Sequence, residues 1–375
     1  MKLLWFTWKD KKNPLAGGAE VVNEELAKRL VKDGHEVTFL VGGFFGGLKE
    51  EIIDGYKIIR LGGRFSVYWH CFRYYKKNLI GWADLVIDEV NTIPFFCKFY
   101  VKEKNIILSY QLCCKIWFYQ MSFPLDILGY LLEPIYIWLL RKSYVLTESE
   151  STKKDFQKYG FKKDKIFVFP IGLELEPISE IELNNQQKEE NTVILYLGSI
   201  RDMKRPDHVL KSFEILKKEV HNAKLFIIGS GTTKYALNFF RKIKNSKYKN
   251  DITCFGKVDN YKKLEIIKKS HLICVTSVKE GWGIIVTEAN SQGTPAVVYN
   301  VDGLRDSCKD KYTGIVTKKN NPKELSRNIK QLIQDKNLYR KYRLNAWKDS
   351  FNYNYDISYK IFLGYLENIY KSLLD

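Results

Sequence analysis

The sequence has no Cys-X-X-Cys pair, no Asp-X-Asp and no grouping of histidines and carboxylates at ligand spacing. Each absence removes a class of chemistry. Zinc ribbons and dithiol redox centres need paired cysteines. The seven cysteines here, at 71, 97, 113, 114, 254, 274 and 308, mostly lie in apolar runs and read as buried thiols of a reducing cytoplasm. Without an Asp-X-Asp or a ligand cluster, no metal and no cofactor are expected. Zinc-finger, RRM and helix-turn-helix signatures are missing, and the lysines are spread along the chain, so nucleic acid is not an expected partner. Long apolar runs are missing as well. The longest, 123–140, contains Pro124, Asp126, Glu133 and Pro134, so no transmembrane helix is expected. The apolar stretch after Met1-Lys2, Leu3 to Trp8, is too short for a signal peptide and reads as a first strand.

Acid is scarce relative to base. Lys plus Arg number 61 against 43 Asp plus Glu, a net charge of +18 over 375 residues. That excess suits an anionic membrane surface or a phosphate-bearing substrate. It equally suits a Lys-rich composition of the thermophile kind, with much of the charge solvated. The length exceeds one ordinary core and suits two domains.

Periodicity supports that division. Leu3 to Thr7 reads as a strand, Gly18 to Lys32 as a helix and His35 to Val41 as a strand, a Rossmann-like unit whose turn 15–20 contains Gly17 and Gly18. The turn lacks the full G-X-G-X-X-G, and ordinary helix entry explains its glycines equally well. Strands at 56–61, 84–88 and 105–109 and an aromatic-rich helix at 65–79 complete a parallel sheet with helices on both sides. The run 123–140 reads as a domain helix kinked or restarted at Pro134. Its apolar surface, with the aromatic run Trp117-Phe118-Tyr119 and nearby basic residues, could instead rest on an anionic membrane. The stretch 174–191, rich in Glu, Gln and Asn, reads as a linker. The pattern then restarts with strands at 192–197 and 224–229 around a helix at 206–220.

Between the strand 192–197 and its helix, Gly198-Ser199-Ile200-Arg201-Asp202-Met203-Lys204-Arg205-Pro206 gathers three cations before a helix start, where they could neutralise a diphosphate or simply be solvated. Farther on, His271 to Thr276 reads as a buried strand, with His271 a satisfied core histidine. It leads through Glu280-Gly281-Trp282-Gly283-Ile284-Ile285 into a helix ending at Gly293, with Glu288 about two turns in. Two glycines at a strand-to-helix junction admit a ligand to the backbone, and free N–H groups near 283–285 favour an anion. Carboxylates accept hydrogen bonds from pairs of hydroxyls, so Glu280 and Glu288 point to sugar and ribose.

The stretch EGWGIIVTEANSQGTPAVVYNVDGL, with Glu280 and Glu288 bracketing seven residues, closely resembles the signature of retaining glycosyltransferase family 4. The resemblance implies the GT-B fold: α/β, two Rossmann-like domains with parallel sheets facing an interdomain cleft. The expected division is an acceptor-side domain over 1–172, a linker over 173–191, a nucleotide-sugar-binding domain over 192–350, and a helix within 351–375 returning to the first domain. Its pattern there, 356–374, includes Leu373.

By the same resemblance Glu280 contacts donor-sugar hydroxyls, Glu288 the ribose, and Gly17 and Gly18 lie beside the diphosphate. Lys204 matches the family lysine, whereas Ser199 stands where relatives have arginine, leaving Arg205 or Arg201 to supply the second cation. Gly231 and Val258 fall on donor-side segments, with Gly281, Trp282, Gly283, Ile284 and Ile285. Tyr110 occupies the position of a histidine found in many relatives, and Trp117 is assigned with it to the acceptor side. The expected partners are a nucleotide-sugar, a glycan or lipid-linked acceptor, and an anionic membrane on the cytoplasmic face. Two rivals share these features: a sugar-nucleotide epimerase and a non-catalytic nucleotide-sugar-binding protein.

Overall fold

The structure, a computed structural model, describes residues 1–372. It contains two compact units, one formed by Met1–Gly172 with the segment from Asn354 onward, the other by Leu173–Tyr353.

The first unit carries an eight-stranded sheet: β1 (Lys2–Phe6), β2 (Glu36–Val41), β3 (Glu50–Ile53), β4 (Tyr56–Arg60), β5 (Leu85–Glu89), β6 (Lys104–Leu108), β7 (Val145–Thr147) and β8 (Ile166–Val168), in the order β3-β4-β2-β1-β5-β6-β7-β8. Its central strands are buried along nearly their whole length, as a sheet covered on both faces requires, and all but Thr38, Asp88 and Glu89 of their buried residues are apolar. The sheet is not wholly parallel as expected. Strands β3 and β4 pair antiparallel through Asp54-Gly55, both at positive φ (48° and 88°). Asp-Gly is the dipeptide such a two-residue hairpin turn favours.

The helix predicted over 18–32 spans Gly18–Lys32, with apolar Val22, Leu26 and Leu30 buried on one face. The run 123–140 forms one helix, Leu125–Leu139, continuous across Pro134 rather than restarted there. The tail folds as Tyr355–Ser372 on this same unit. Its Phe362 lies between Trp5 and Phe169, with ring centroids 6.2 and 5.2 Å away, and Tyr359 donates to Asp33 at 2.7 Å. Leu373, included in the expected pattern, lies outside the described residues.

The second unit has six parallel strands: β9 (Val193–Leu197), β10 (Lys224–Ile228), β11 (Ile252–Gly256), β12 (Leu272–Val275), β13 (Ala296–Val298) and β14 (Gly314–Val316), in the order β11-β10-β9-β12-β13-β14. The stretch read as a linker is built into this unit. Ser179 caps the short helix Glu180–Asn185, and Ile178 and Leu183 pack on Trp347. Among the cysteines, 71, 97, 113, 274 and 308 are buried as expected of thiols in apolar runs, whereas Cys254 on the edge strand β11 is exposed and Cys114 is half-buried.

Candidate functional site

In an open parallel sheet, ligands collect outside the carboxyl ends of the strands where the strand order reverses. In the second sheet that point lies between β9 and β12, which are neighbours although two strands, β10 and β11, come between them in the chain. The loop after β9 carries the cations 201–205, and the loop after β12 carries Glu280. The topology therefore brings together two stretches about 75 residues apart in the chain.

The loops are stitched to each other. The Thr276 hydroxyl lies 3.0 and 2.8 Å from the carbonyl oxygens of Lys204 and Arg205, and the Val278 N–H donates to the Met203 carbonyl at 2.8 Å. Lys204 Nζ is 2.6 Å from Glu280 Oε1, and the Ser277 hydroxyl donates to that oxygen at 2.5 Å. Their side chains are 26 % and 13 % exposed, so the pair is reachable from solvent. Arg205 starts the helix Pro206–Leu216 in the left-handed region (φ 48°). Beside it His208 Nδ1 lies 2.8 Å from the Tyr299 hydroxyl, and burial lowers the His208 pKa.

Close backbone approach explains several glycines. A Cβ at Gly231 would sit 2.6 Å from the Ile200 carbonyl oxygen. At Gly303, φ is 76° and a Cβ would overlap the Glu280 carbonyl; the Glu280 N–H donates to the Asp302 carbonyl at 3.2 Å. Gly283 (φ 97°) opens the helix Ile284–Ser291. The Val286 N–H turns back to the Gly283 carbonyl at 2.8 Å, leaving the Ile284 and Ile285 N–H groups as the free donors of the helix start.

Glu288 is the fifth residue of this helix, one turn in rather than two, and Lys263 Nζ holds its Oε1 at 2.8 Å. Ser277, Thr276 and Lys263 escaped sequence reasoning, because only tertiary pairing shows which Ser, Thr or Lys of so basic a chain meets a named carboxylate.

Other expected residues have different surroundings. Trp282 is 9 % exposed; its indole N–H donates to the Thr287 hydroxyl at 2.8 Å, and its ring packs on Tyr353 with centroids 5.2 Å apart. Trp282 thus packs inward, and only its backbone remains for a ligand. Arg201 is exposed and its N–H donates to the Ser199 carbonyl at 3.0 Å, while Tyr196 donates to that same carbonyl at 3.0 Å. Val258 is half-buried against the core. His271 behaves as a core histidine: its Nδ1 accepts from the Val193 N–H at 3.1 Å, and burial pulls its pKa down to about 4.

In the first unit, Gly17 is the residue before the helix Gly18–Lys32; its N–H donates to Glu20 at 2.6 Å, and Lys9 pairs with Glu20 at 3.2 Å. Tyr110 is buried and donates to Asn23, which settles what its hydroxyl does. Trp117, assigned to an acceptor, is only 4 % exposed. It packs under Gly129 and donates to Glu133 at 3.2 Å, so its ring is not presented to a ligand. No group of three or more His, Cys, Asp or Glu placed to hold a metal occurs among the described residues, nor is any helix among them long and apolar enough to cross a membrane.

Two family models together match residues 16–349 of this chain: "Glycosyltransferase Family 4" over residues 16–177 and "Glycosyl transferases group 1" over residues 177–349. The chain belongs to the group 1, family 4 glycosyltransferases. An uncharacterized glycosyltransferase of Methanocaldococcus jannaschii is 25% identical over 95% of this chain and 95% of its own length. The poly(glycerol-phosphate) alpha-glucosyltransferase of Bacillus subtilis is 28% identical over 55% of this chain, a match spanning 30% of that protein. Among solved structures, sucrose-phosphate synthase from Thermosynechococcus elongatus superposes with a TM-score of 0.78 at 15% identity, covering 100% of this chain and 99% of that one. Anabaena HepE in complex with UDP-glucose gives 0.73 at 15% identity over 98% and 100%. The fold of this glycosyltransferase is GT-B, with two Rossmann-like units.

Proposed function

We propose that this glycosyltransferase is retaining and moves a hexose from a nucleotide-sugar donor to a glycan or lipid-linked acceptor without a metal. The observation that carries the reading is the Lys204–Glu280 pair at the switch point, beside a helix start with free N–H groups. A diphosphate needs fixed positive charge as the sugar leaves. Lys204 supplies a point charge, Arg205 a second cation and the Ile284 and Ile285 N–H groups oriented dipoles, all in place before reaction. Glu280 accepts the sugar hydroxyls and turns the anomeric carbon toward the acceptor. Glu288, held by Lys263, accepts the ribose hydroxyls. The acceptor oxygen bonds to the anomeric carbon on the face from which the diphosphate departs, and the departing phosphate oxygen takes the acceptor proton.

The same reading places the enzyme on an anionic bilayer. The helix Leu125–Leu139 leaves Leu128, Leu131, Ile135 and Trp138 exposed, and Phe123 before it is 78 % exposed. Arg141 stacks on Trp138 with its guanidinium carbon 3.6 Å from the ring centroid. Burial lowers the Lys98 pKa, and repulsion from Lys165, Lys142 and Arg141 lowers it further, so these cations cluster. Apolar side chains beside clustered cations match a bilayer interface with acidic headgroups.

Release of free nucleotide from a nucleotide-sugar tests the chemistry. Glu280→Ala and Lys204→Ala should each lose turnover by about 100- to 1,000-fold, the usual effect of removing one preorganised donor or acceptor. Near-wild-type rates in either variant would overturn the assignment. Donor converted without any acceptor would mark an epimerase, and donor bound but never split a binding protein.

A further inference from the structure

The first sheet has its own switch point, between β1 and β5, and its own cluster of groups that the donor reading leaves unused. Glu89 ends β5, Tyr110 and Gln111 follow β6, and Glu148 follows β7, so all lie at the carboxyl ends of adjacent parallel strands. Tyr110 donates to Asn23 Oδ1 and Asn23 Nδ2 donates to Glu89 Oε2 at 2.6 Å, a chain that fixes the Glu89 carboxyl. Glu89 and Glu148 are only 1 % and 3 % exposed. Yet Gln111 Oε1 and Glu148 Oε1 are buried with no hydrogen-bond partner among the described residues, and Glu89 Oε1 has none at full hydrogen-bond geometry, although the Thr7 hydroxyl lies near enough to steady the Glu89 charge. A buried acceptor without a donor costs stability, and such groups persist where an ordered water, an ion or a ligand completes them.

We propose that Glu89 and Glu148 form a hydroxyl-binding subsite that selects an uncharged polyol face of the acceptor. The proposal rests on the glycosyltransferase reading above and adds the acceptor's chemical class. Burial pushes the Glu89 carboxyl up to about 7 and, together with the neighbouring Glu89, holds Glu148 well above the usual carboxylate range. Protonated carboxyls accept and donate, which is the complement of a sugar hydroxyl. Glu148, held in its protonated form, offers an ammonium little negative charge. A phosphate would meet acceptor oxygens and, close by, the Glu20 carboxylate, whose charge also acts on Glu89; Lys9, a cation that also acts on Glu89, is paired with Glu20.

Saturation-transfer NMR on the full chain tests this, in a Glu280→Ala background so that sugar bound in the second unit does not contribute. Methyl α-D-glucopyranoside should bind about tenfold more tightly than glucose 6-phosphate or glucosamine, the discrimination that one or two hydrogen bonds supply. Glu148→Leu and Glu148→Ala should each weaken the glucoside by about tenfold while the melting midpoint stays level or rises, since an unpartnered carboxyl has been removed. Equal or tighter binding of either charged sugar overturns the proposal. So does unchanged glucoside binding in both variants, or a loss accompanied by a lower midpoint, which marks a structural role. A wild-type chain that released nucleotide from none of a panel of UDP-, GDP- and ADP-hexoses offered with acceptor would sink the transferase reading while leaving these binding results standing.

Discussion

Glu280 is organised by contacts that single-residue reasoning can follow outward. Its Oε1 meets Lys204 and Ser277, and its backbone is pinned between the Asp302 carbonyl and Gly303. Glu288 is ion-paired with Lys263 at 2.8 Å. Lys263→Ala should therefore raise the KM for donor severalfold and leave kcat near wild type, because Glu288 grips the ribose rather than the reacting atoms; steady-state kinetics with varied donor checks it. His271 offers a separate test. Its folded pKa of about 4 lies below the ordinary 6.5, so between those values the unfolded chain binds more protons. Stability from this residue is full above about 6.5, falls as pH drops toward 4 and levels off below. Thermal melts of wild type and His271→Asn across that window should show a shallower pH slope in the variant.

Helices and turns decide whether those side chains are presented. The helix Ile284–Ser291 can begin only because Gly283 adopts φ 97°, and the preceding loop fits only because Gly303 has no Cβ. Gly303→Ala should displace Glu280 and reduce turnover at least tenfold in a folded protein. Gly256→Ala, at φ 69° but with nothing within 4 Å, should cost about 1 kcal/mol of backbone strain and little activity. Measuring turnover beside the denaturation midpoint separates the two. In the first unit, Leu128→Ser with Leu131→Ser removes apolar surface from an exposed helix face, so it should weaken sedimentation with acidic-lipid vesicles and leave nucleotide release from a soluble donor unchanged. Binding to vesicles undiminished in this double variant would remove the helix from the membrane proposal.

Across the whole molecule, the two units have separate cores, and the chain's last helix returns to the first. Phe362 is fully buried between Trp5 and Phe169. Phe362→Ala should destabilise the first unit by about 3 to 5 kcal/mol and leave the second unit's transition in place, a split that denaturant titration followed by hydrogen exchange resolves. The net charge of +18 acts at this scale too. Vesicle binding should weaken steeply between low and physiological salt, because exposed charges are screened beyond about 8 Å at 0.15 M.

The linear order of residues by itself determined the strand and helix alternation, the duplicated Rossmann pattern and the Glu280 to Glu288 signature. Each is written in local periodicity or in glycines at a junction, and neither needs distant partners. It could have yielded the Asp54-Gly55 hairpin as well, since that turn chemistry is local. Folding alone decided which lysine meets which carboxylate, that Trp282 and Trp117 face inward, and that 174–191 is built into the second unit rather than spanning free. It also decided that Glu89, ending β5, and Glu148, just after β7, lie at the same edge of one sheet with only β6 between their strands, although 59 residues separate them in a chain where neither stands in any recognisable pattern. Parallel strands joined by crossovers bring their carboxyl ends together whatever the intervening sequence, so proximity there is a property of topology, invisible to spacing.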